Sequence, residues 1–219
     1  MPNVLIKVFM NNILKLSFLF VFVLISASSL AQSFAKNDKI IEAGFGLGIY
    51  DTHIYNKTTK INENSRAAAW VFPVSFEYAF RKRLAIGVAY KYSNFITSND
   101  SVQSNAQMSG NDIALKPTFH IIKSKRLNVY IGALAGLAWV NYQLNDSEKA
   151  YVKGNGTILA YVFGTRFYIT KNVGLGLNYL FNNYNFVDLT LANNQAFTDK
   201  LNLTLKRGNV NLGLVVKIN

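Results

Sequence analysis

Residues 67–92, AAAWVFPVSFEYAFRKRLAIGVAYKY, form two alternating segments joined by a short basic connection. In the first segment, large apolar residues occupy the even positions up to Phe80, and small or polar residues occupy most odd positions. The second segment repeats this pattern from Leu84 to Tyr92. Because side chains alternate between the two faces of a β-strand, the period of two predicts a β-hairpin with one large apolar face.

The same alternation recurs in eight segments of the chain. One phase is large and uncharged throughout, with Thr165 as its one polar side chain, and the opposite phase holds most of the glycines. The apolar phase runs over Ile41 to Ile49, Ala68 to Phe80, Leu84 to Tyr92, Ile113 to Ile121, Leu127 to Trp139, Leu159 to Ile169, Val173 to Phe181 and Val210 to Ile218. A soluble lipocalin-like barrel would have the reverse arrangement, so the uncharged phase favours lipid outside. We therefore predict an all-β fold, an eight-stranded antiparallel up-and-down transmembrane β-barrel.

Residues 1–31 have the features of a secretory signal peptide. Two lysines accompany an apolar run from Leu16 to Ile25, and a stretch of small residues ends at Ala31. The run is shorter than the roughly 20 residues that a membrane-spanning helix needs. We expect cleavage after Ala31, export to the bacterial envelope and a mature barrel domain over residues 32–219. The absence of cysteine excludes a disulfide scaffold and a cysteine-anchored lipoprotein.

The connections between the segments alternate in length. Short ones follow Phe80, Ile122 and Ile169, whereas long polar ones are expected at about 52–66, 97–111, 143–156 and 182–202. Short periplasmic turns and long outer loops are typical of outer-membrane barrels. Aromatic residues of the apolar phase also gather toward both ends of the segments, as in the interfacial girdles of such barrels. We therefore expect both termini in the periplasm and four long loops outside.

The chain is basic, with a formal net charge of +12. Much of the excess lies in the three short connections, at Arg81, Lys82, Arg83, Lys123, Lys125, Arg126 and Lys171. A nucleic-acid binder would more often place such groups along one helix or groove, so no nucleic-acid partner is expected. These groups either meet anionic lipid headgroups or are solvated turn residues without a partner.

A second set of ionisable residues falls on the inward phase. We predict a lumen charge network of Glu42, Glu77, Lys91, Asp112, Lys116, His120, Arg166 and Lys217. In an eight-stranded closure, the last strand pairs with the first and brings Lys217 near Glu42, while the sixth strand faces the second and brings Arg166 within reach of Glu77. Charges in a narrow lumen persist when they are paired. The barrel is therefore expected to be closed by its own charges; hydrated charges that ignore one another are the alternative.

Two local features interrupt the pattern. Pro117 lies on the outward phase and Pro73 on the inward phase, and because proline cannot donate to a strand ladder, a bulge or local widening is expected at each. Near the end of the chain, Leu203 and Leu205 fall on odd positions, whereas the last apolar segment uses even ones. An extra residue within 206–208 would restore a common register, as a bulge does.

The sequence resembles a known group of proteins. The arm PVSFEY at 73–78, its continuation LAIGVAY at 84–90 and the terminal GLVVKIN at 213–219 look like segments of small outer-membrane β-barrel proteins of Gram-negative bacteria, of the OmpA/OmpX type. The resemblance implies an outer-membrane location, contact with outer-membrane lipids and lipopolysaccharide, and insertion by the barrel-assembly machinery. Members commonly end in an aromatic residue that this machinery recognises, whereas this chain ends Ile218-Asn219.

Few residues indicate chemistry. His53 lies in the first long connection, two residues after Asp51, and a His with a carboxylate is able to activate a hydroxyl, as in an outer-membrane lipid-modifying enzyme. One His near one Asp in sequence has no defined geometry, however. The chain also has no metal-ligand spacing, phosphate-binding glycine loop or nucleophile elbow. We therefore predict no catalytic residue, no cofactor and no metal site.

Three functions remain open at this level. The favoured one is a structural or interaction role, in which long outer loops contact lipopolysaccharide, host surfaces or envelope partners. The second is transport of a small or hydrophobic ligand through the barrel or a lateral opening, although the inward residues Val71, Leu134, Val162 and Leu180 are too scattered in sequence to define an apolar groove. The third is a surface lipid-modifying enzyme. The fold alone does not decide among them.

Overall fold

The computed structural model describes residues 34–97, 107–143, 151–192 and 199–218. These residues form eight strands: β1 (Lys39–Asn56), β2 (Asn62–Tyr78), β3 (Leu84–Thr97), β4 (Gln107–Lys123), β5 (Leu127–Gln143), β6 (Tyr151–Tyr168), β7 (Val173–Ala192) and β8 (Asp199–Ile218). The expected signal peptide and its cleavage site lie outside the described residues. Within the described ranges, no helix has the length and apolarity that crossing a membrane requires.

The strands pair in chain order and close into one barrel. All neighbouring strands are antiparallel, and β1 completes the closure by pairing with β8, from Lys39 opposite Ile218 to Asn56 opposite Leu201. Every strand thus has a hydrogen-bonded neighbour on both sides, which satisfies the backbone groups without leaving a sheet edge. The predicted eight-stranded up-and-down barrel is confirmed.

The two ends of the barrel differ. The turn end has the short connections 79–83, 124–126 and 169–172, and the opposite hairpin end includes the β1–β2 connection at 57–61. The hydroxyl oxygens of Ser124 and Thr170 each accept a hydrogen bond of 3.0 Å from a backbone N–H three residues further on. Such local bonds are the reason that Ser and Thr favour tight turns.

The barrel wall has an apolar outer face and a small or polar inner face. Val88 on the outer face of β3 is 43% exposed, whereas the charged Glu77 on the inner face of β2 is 0% exposed. This arrangement is the inverse of a soluble protein and suits a wall surrounded by hydrocarbon. The predicted division of alternate residues between two faces is confirmed. The exposed outer aromatic residues include Trp70, Tyr90, Trp139, Tyr161 and Phe181 toward the hairpin end, and Tyr78, Phe80, Phe119 and Phe167 toward the turn end.

The strands extend further at the hairpin end than the sequence predicted. β1 continues to Asn56 and β2 starts at Asn62, so the long loop expected at 52–66 is a connection of residues 57–61. The other strands likewise include much of the ranges expected to be loops. Pairing gives these polar segments cross-strand partners for backbone N–H and C=O groups that would otherwise bond to water in an irregular loop. The expectation of long loops is therefore wrong where the structure describes these segments, which form tall hairpins.

β8 keeps one register where an extra residue was expected. Leu203 and Leu205 are buried inside the barrel, 6% and 1% exposed, and Asn209 further along the strand also faces inward. Pairing with β1 continues across residues 206–208 without a shift. The predicted bulge is wrong. The prediction assumed that every large apolar residue faces the lipid, whereas these leucines pack in the lumen.

Both prolines interrupt a ladder without shifting its register. Toward β1, the pairing of β2 skips the positions between Val74 and Val71, which include Pro73. The ladder between β4 and β5 is interrupted in the same way at Pro117. The missing proline N–H explains each gap. Neither proline produces the bulge that was one of the two expected outcomes. The bulge of β4 lies further on, after His120.

Candidate functional site

The most concentrated group of charges lies inside the barrel, toward the turn end. Arg166 of β6 reaches across the lumen, and its Nε donates a hydrogen bond of 2.9 Å to Glu42 Oε2. Its Nη1 donates to Glu77 Oε2 at 3.1 Å, and its Nη2 donates to the other oxygen of the same carboxylate. The guanidinium carbon lies 4.3 Å from the ring centroid of Tyr130. Arg166 and Glu77 are both 0% exposed, so these bonds form away from water.

A second cation and a polar chain complete this group. Lys116 Nζ lies 2.8 Å from Glu77 Oε1. Asn178 Nδ2 donates to Glu42 Oε1 at 2.5 Å, and Tyr130 donates its hydroxyl to Asn178 Oδ1 at 2.6 Å. Two carboxylates therefore face two cations, and the group is formally neutral. A buried set of charges is tolerated when each is paired and its remaining hydrogen-bonding groups are satisfied.

Two glycines of the inner face make room for this group. A Cβ at Gly176 would collide with the Glu42 carboxylate, and a Cβ at Gly164 would collide with the ring of Tyr130 and the amide of Asn178. The narrow lumen therefore has room for long charged side chains because the positions that face them are glycines without a side chain. This packing accounts for two of the glycines on the inward phase.

His120 and residues 34–38, which precede β1, close the turn end of the lumen. The His120 ring is fully buried and stacks on Phe34, with centroids 3.5 Å apart. Its Nδ1 lies 2.9 Å from Asn128 Oδ1. Nearby, Lys217 Nζ lies 3.9 Å from Asp38 Oδ2. The segment that precedes β1 is thus part of the lumen packing.

A separate ion pair lies nearer the hairpin end. Lys91 and Asp112 are cross-strand partners on β3 and β4, with Nζ and Oδ2 3.6 Å apart. Tyr184 donates its hydroxyl to the same Asp112 oxygen at 2.7 Å, and Lys91 donates to Asn182 at 3.3 Å. The charges of the lumen therefore include two separate groups, one around Arg166 and one at Lys91 and Asp112.

Apolar side chains occupy the lumen around and above this ion pair. Val71, Leu134, Val162 and Leu180, which are scattered in sequence, belong to one buried cluster that fills the lumen. Further members from the tall hairpins are Tyr50, Phe95, Met108, Val140, Ile158, Tyr184, Phe186, Leu189, Leu203 and Leu205. A cavity of about 40 Å³ remains beside Lys91, space for only a few water molecules.

The structure places all eight predicted lumen residues inside the barrel, each at most 6% exposed. It brings Arg166 to Glu77, as expected, and adds Glu42 to the same guanidinium. The expected approach of Lys217 to Glu42 is not the pairing found: the register sets Lys217 opposite Ile40, two residues from both Glu42 and Asp38. The Lys217 ion pair in the structure is made with Asp38.

Sequence reasoning missed the neutral members of this group. Tyr130, Asn178 and Asn182 lie on the inward phase of their strands, but they are neutral, and the predicted network included only ionisable inward residues with the charge of Asp, Glu, Lys, Arg or His. Phe34 precedes the first alternating segment and had no periodic signal. Polar residues on the small-residue phase are the pattern that would have identified Tyr130 and the two asparagines.

Asp51 and His53 do not form a catalytic pair in the described part of the chain. Asp51 Oδ1 lies 3.2 Å from both Arg66 Nε and Arg207 Nη1. His53 Nδ1 lies instead 2.6 Å from Asn64 Oδ1. Both are on the outer face of the hairpin end, beyond the apolar belt. A carboxylate that is already engaged by two guanidinium groups is poorly placed to orient a histidine as a base.

Solved structures with a similar fold are outer-membrane proteins. The crystal structure of OprG from Pseudomonas aeruginosa matches with a TM-score of 0.62 at 12% identity, over 85% of this chain and 98% of that one. The solid-state NMR structure of AlkL in lipid bilayers matches with a TM-score of 0.56 at 11% identity, over 87% of this chain and 94% of that one. At such identities the likeness establishes the fold alone. No curated protein matches the sequence.

The family follows from the sequence itself. Residues 18–217 match the model of the outer membrane protein beta-barrel domain, which is most of the chain. The match agrees with the closed barrel and its apolar outer face, and it implies residence in the outer membrane. The chain belongs to the outer membrane protein beta-barrel domain family.

Proposed function

We propose that this protein is a closed, non-conducting outer-membrane barrel with a structural or interaction role, which it performs through its tall hairpins. The observation that supports this most directly is Arg166, a fully buried side chain that crosses the lumen and binds carboxylates of β1 and β2. A second barrier, the apolar cluster around Val71 and Leu134, lies closer to the hairpin end. An ion would have to displace both barriers to pass.

Single-channel recording in planar bilayers tests this proposal. The wild-type protein is expected to give no steady conductance, because neither the paired charges nor the apolar cluster leaves a continuous aqueous path. A variant with Arg166→Ala and Glu77→Ala removes the lower barrier and retains the upper one, so it is expected to give at most brief openings. A large and steady wild-type conductance would contradict the closed barrel.

The proposal includes an orientation and a set of partners. The turn end faces the periplasm and the hairpin end faces outward, as short turns and long extensions do in this class of barrel. Export requires removal of the segment up to Ala31, and insertion requires the barrel-assembly machinery. Lipopolysaccharide surrounds the hairpin bases, and a further surface ligand contacts the hairpin tips.

One observation favours a second candidate, transport of a hydrophobic ligand through the barrel wall. The ladder between β1 and β2 is interrupted near Gly44 and Pro73. Both residues line the cavity beside Lys91, together with outer-face residues such as Val74 and Leu212. The cavity therefore adjoins an interrupted part of the wall, and separation of β1 from β2 would join it to the lipid.

A reversible cross-link distinguishes this candidate from a permanently closed wall. Phe45 and Phe72 are neighbours across the interrupted ladder, with ring centroids 5.3 Å apart. In a Phe45→Cys/Phe72→Cys variant, oxidation would join the strands. If ligands pass here, uptake of a hydrophobic fluorescent probe by cells falls on oxidation and recovers on reduction. Uptake that is unchanged by the cross-link would argue against a lateral route.

A further inference from the structure

The outer face of the hairpin end has a group of charges that plays no part in closing the lumen. Asp51 of β1 lies opposite Arg66 of β2 on one side and Lys206 of β8 on the other. The side chains of Arg66 and Arg207 both approach Asp51 Oδ1 to 3.2 Å. We call Asp51, Arg66, Lys206 and Arg207 the outer-wall cluster. Three cations surround one carboxylate, so the cluster has a formal charge of +2.

Arg207 joins this cluster through an uncommon backbone conformation. Its φ is 116°, in the region of backbone conformation that residues other than glycine rarely adopt. Its partner on β1 is Tyr50, whose ring is buried in the lumen, and strict alternation would therefore direct residue 207 inward. Its side chain is instead 51% exposed and contacts Asp51. Backbone strain of this kind is concentrated at sites where a particular side-chain position serves binding.

The cluster lies next to the lipid-facing wall. Leu47 and Ile49 precede Asp51 on the outer face of β1 and are 55% and 56% exposed. The neighbours of Ile49 on the flanking strands are the small residues Ala68 and Gly208. The site thus combines an exposed apolar surface with positive charge at the edge of the belt.

An open polar groove continues from the cluster toward the hairpin tips. Its volume is about 830 Å³, and its lining includes hydrogen-bonding groups of His53, Asn64, Ser65 and Thr204 as well as Arg66 and Lys206. Hydroxyl, amide and imidazole groups around a groove of this kind suit a polar, hydroxyl-rich group such as a sugar. The order along the wall is therefore apolar surface, cations and polar groove.

We propose that the outer-wall cluster binds the phosphate group of a phosphorylated glycolipid of the outer leaflet, lipopolysaccharide. Its acyl chains lie against the exposed apolar surface of Leu47 and Ile49, its phosphate contacts Arg66, Lys206 and Arg207, and its sugar enters the groove. Guanidinium groups match phosphate oxygens in a bidentate geometry, and cations near a membrane surface attract anionic headgroups. Asp51 holds the arginines in place and moderates the affinity. In cells this inference rests on the proposed orientation, with the hairpin end outward.

Native mass spectrometry of the purified protein in detergent, titrated with diphosphorylated lipid A, tests the site. The variant Arg66→Gln/Lys206→Gln is compared with Lys82→Gln/Lys125→Gln, which removes the same charge from the turn end. Loss of one near-surface cation corresponds to about a fivefold change in affinity. The first variant is therefore expected to bind about 30-fold more weakly, and the turn-end variant to bind as the wild type does. Asp51→Asn is expected to bind more tightly, because a competing carboxylate is lost.

Three outcomes would overturn the inference: equal losses in the two double variants, equal binding of dephosphorylated lipid A, or preferential binding of a sulfated polysaccharide in place of lipid A. Heat-dependent migration in gels checks that each variant retains the barrel, and Asp51→Asn supplies an independent result if a double variant does not fold. Because lipid in detergent reaches every face of the protein, the assay does not depend on orientation in cells. Failure here is thus separate from failure of the proposed topology, which surface labelling tests.

Discussion

At position 166, one guanidinium group serves two carboxylates from the opposite wall of the barrel. Arginine suits this position because its planar fork donates in several fixed directions, whereas a lysine presents one compact charge. Lys116 also contacts Glu77, so the two carboxylates depend on Arg166 to different degrees. Glu77 has a second cation close by, and Glu42 has the neutral amide of Asn178.

Replacement of Arg166 by methionine removes the charge and keeps a long side chain. We expect Arg166→Met to lower the free energy of unfolding by roughly 3 kcal/mol, the low end for a buried charge that loses its partner, because Lys116 still pairs with Glu77. Urea unfolding from lipid vesicles measures this. The matched control is Arg207→Met at a half-exposed position, where ion pairs contribute at most about 1 kcal/mol.

A double-mutant cycle with Glu77→Gln separates pairing from loss of packing. If the two groups stabilise one another, the double variant loses less than the sum of the single variants. Strictly additive losses would contradict the pair.

The sequence identifies which residues enter the lumen but only part of what they contact. Alternation assigns Glu42 and Arg166 to the inner face, because a face is a property of each strand alone. Their heights depend on the register of each ladder. Lys217 lies opposite Ile40, two residues from both Glu42 and Asp38, and its ion pair is with Asp38. Phe34 lies before any strand, so nothing periodic could place it over His120.

At the scale of the element, each strand has a lipid-facing part and a polar extension. On β3, Val88 lies within the apolar belt and Ile96 lies eight residues further toward the hairpin end, both on the outer face. The separation along the strand is about 26 Å, more than half the height of the apolar band, so Ile96 lies beyond the edge of the band when Val88 is near the midplane. The alternation of apolar residues fades in the extensions, which is the reason that the sequence predicted loops there.

The same substitution at these two positions measures the depth of the belt. Val88→Arg is expected to destabilise the inserted barrel by about 2 to 4 kcal/mol, the cost of a basic residue on a lipid-facing wall near the midplane, and Ile96→Arg by about 0 to 1 kcal/mol. Reversible unfolding from lipid vesicles compares them. Equal costs at the two positions would mean that β3 does not cross the bilayer as described.

At the scale of the whole molecule, the constraints are patterns rather than particular residues. OprG shares the fold at 12% identity, because a closed barrel in lipid requires alternation, closure and apolar outer residues but no particular sequence. The eight strands and their two faces were therefore predictable, since runs such as Val173 to Phe181 encode them locally. The filled lumen was less predictable from the sequence, because it depends on packing between distant strands, as between Val71 and Leu180.

Orientation in the membrane is tested by accessibility. An epitope tag inserted between Thr58 and Thr59, in the β1–β2 connection, is expected to be labelled by antibody on intact cells. A tag after Lys125, in the connection at the turn end, is expected to be labelled only after the outer membrane is permeabilised. The reverse pattern would invert the barrel, with the hairpin end in the periplasm.

The seam between β1 and β8 has a consequence for the time course of folding. It joins positions at the two ends of the described chain, such as Lys39 and Ile218, so its contacts have a large separation in sequence. Non-local contacts form slowly, because the entropy of loop closure is lost before the contacts are gained. Until β8 arrives, β1 presents an open edge to other unfolded chains. The last strand to be synthesised is therefore the one that protects the first from aggregation.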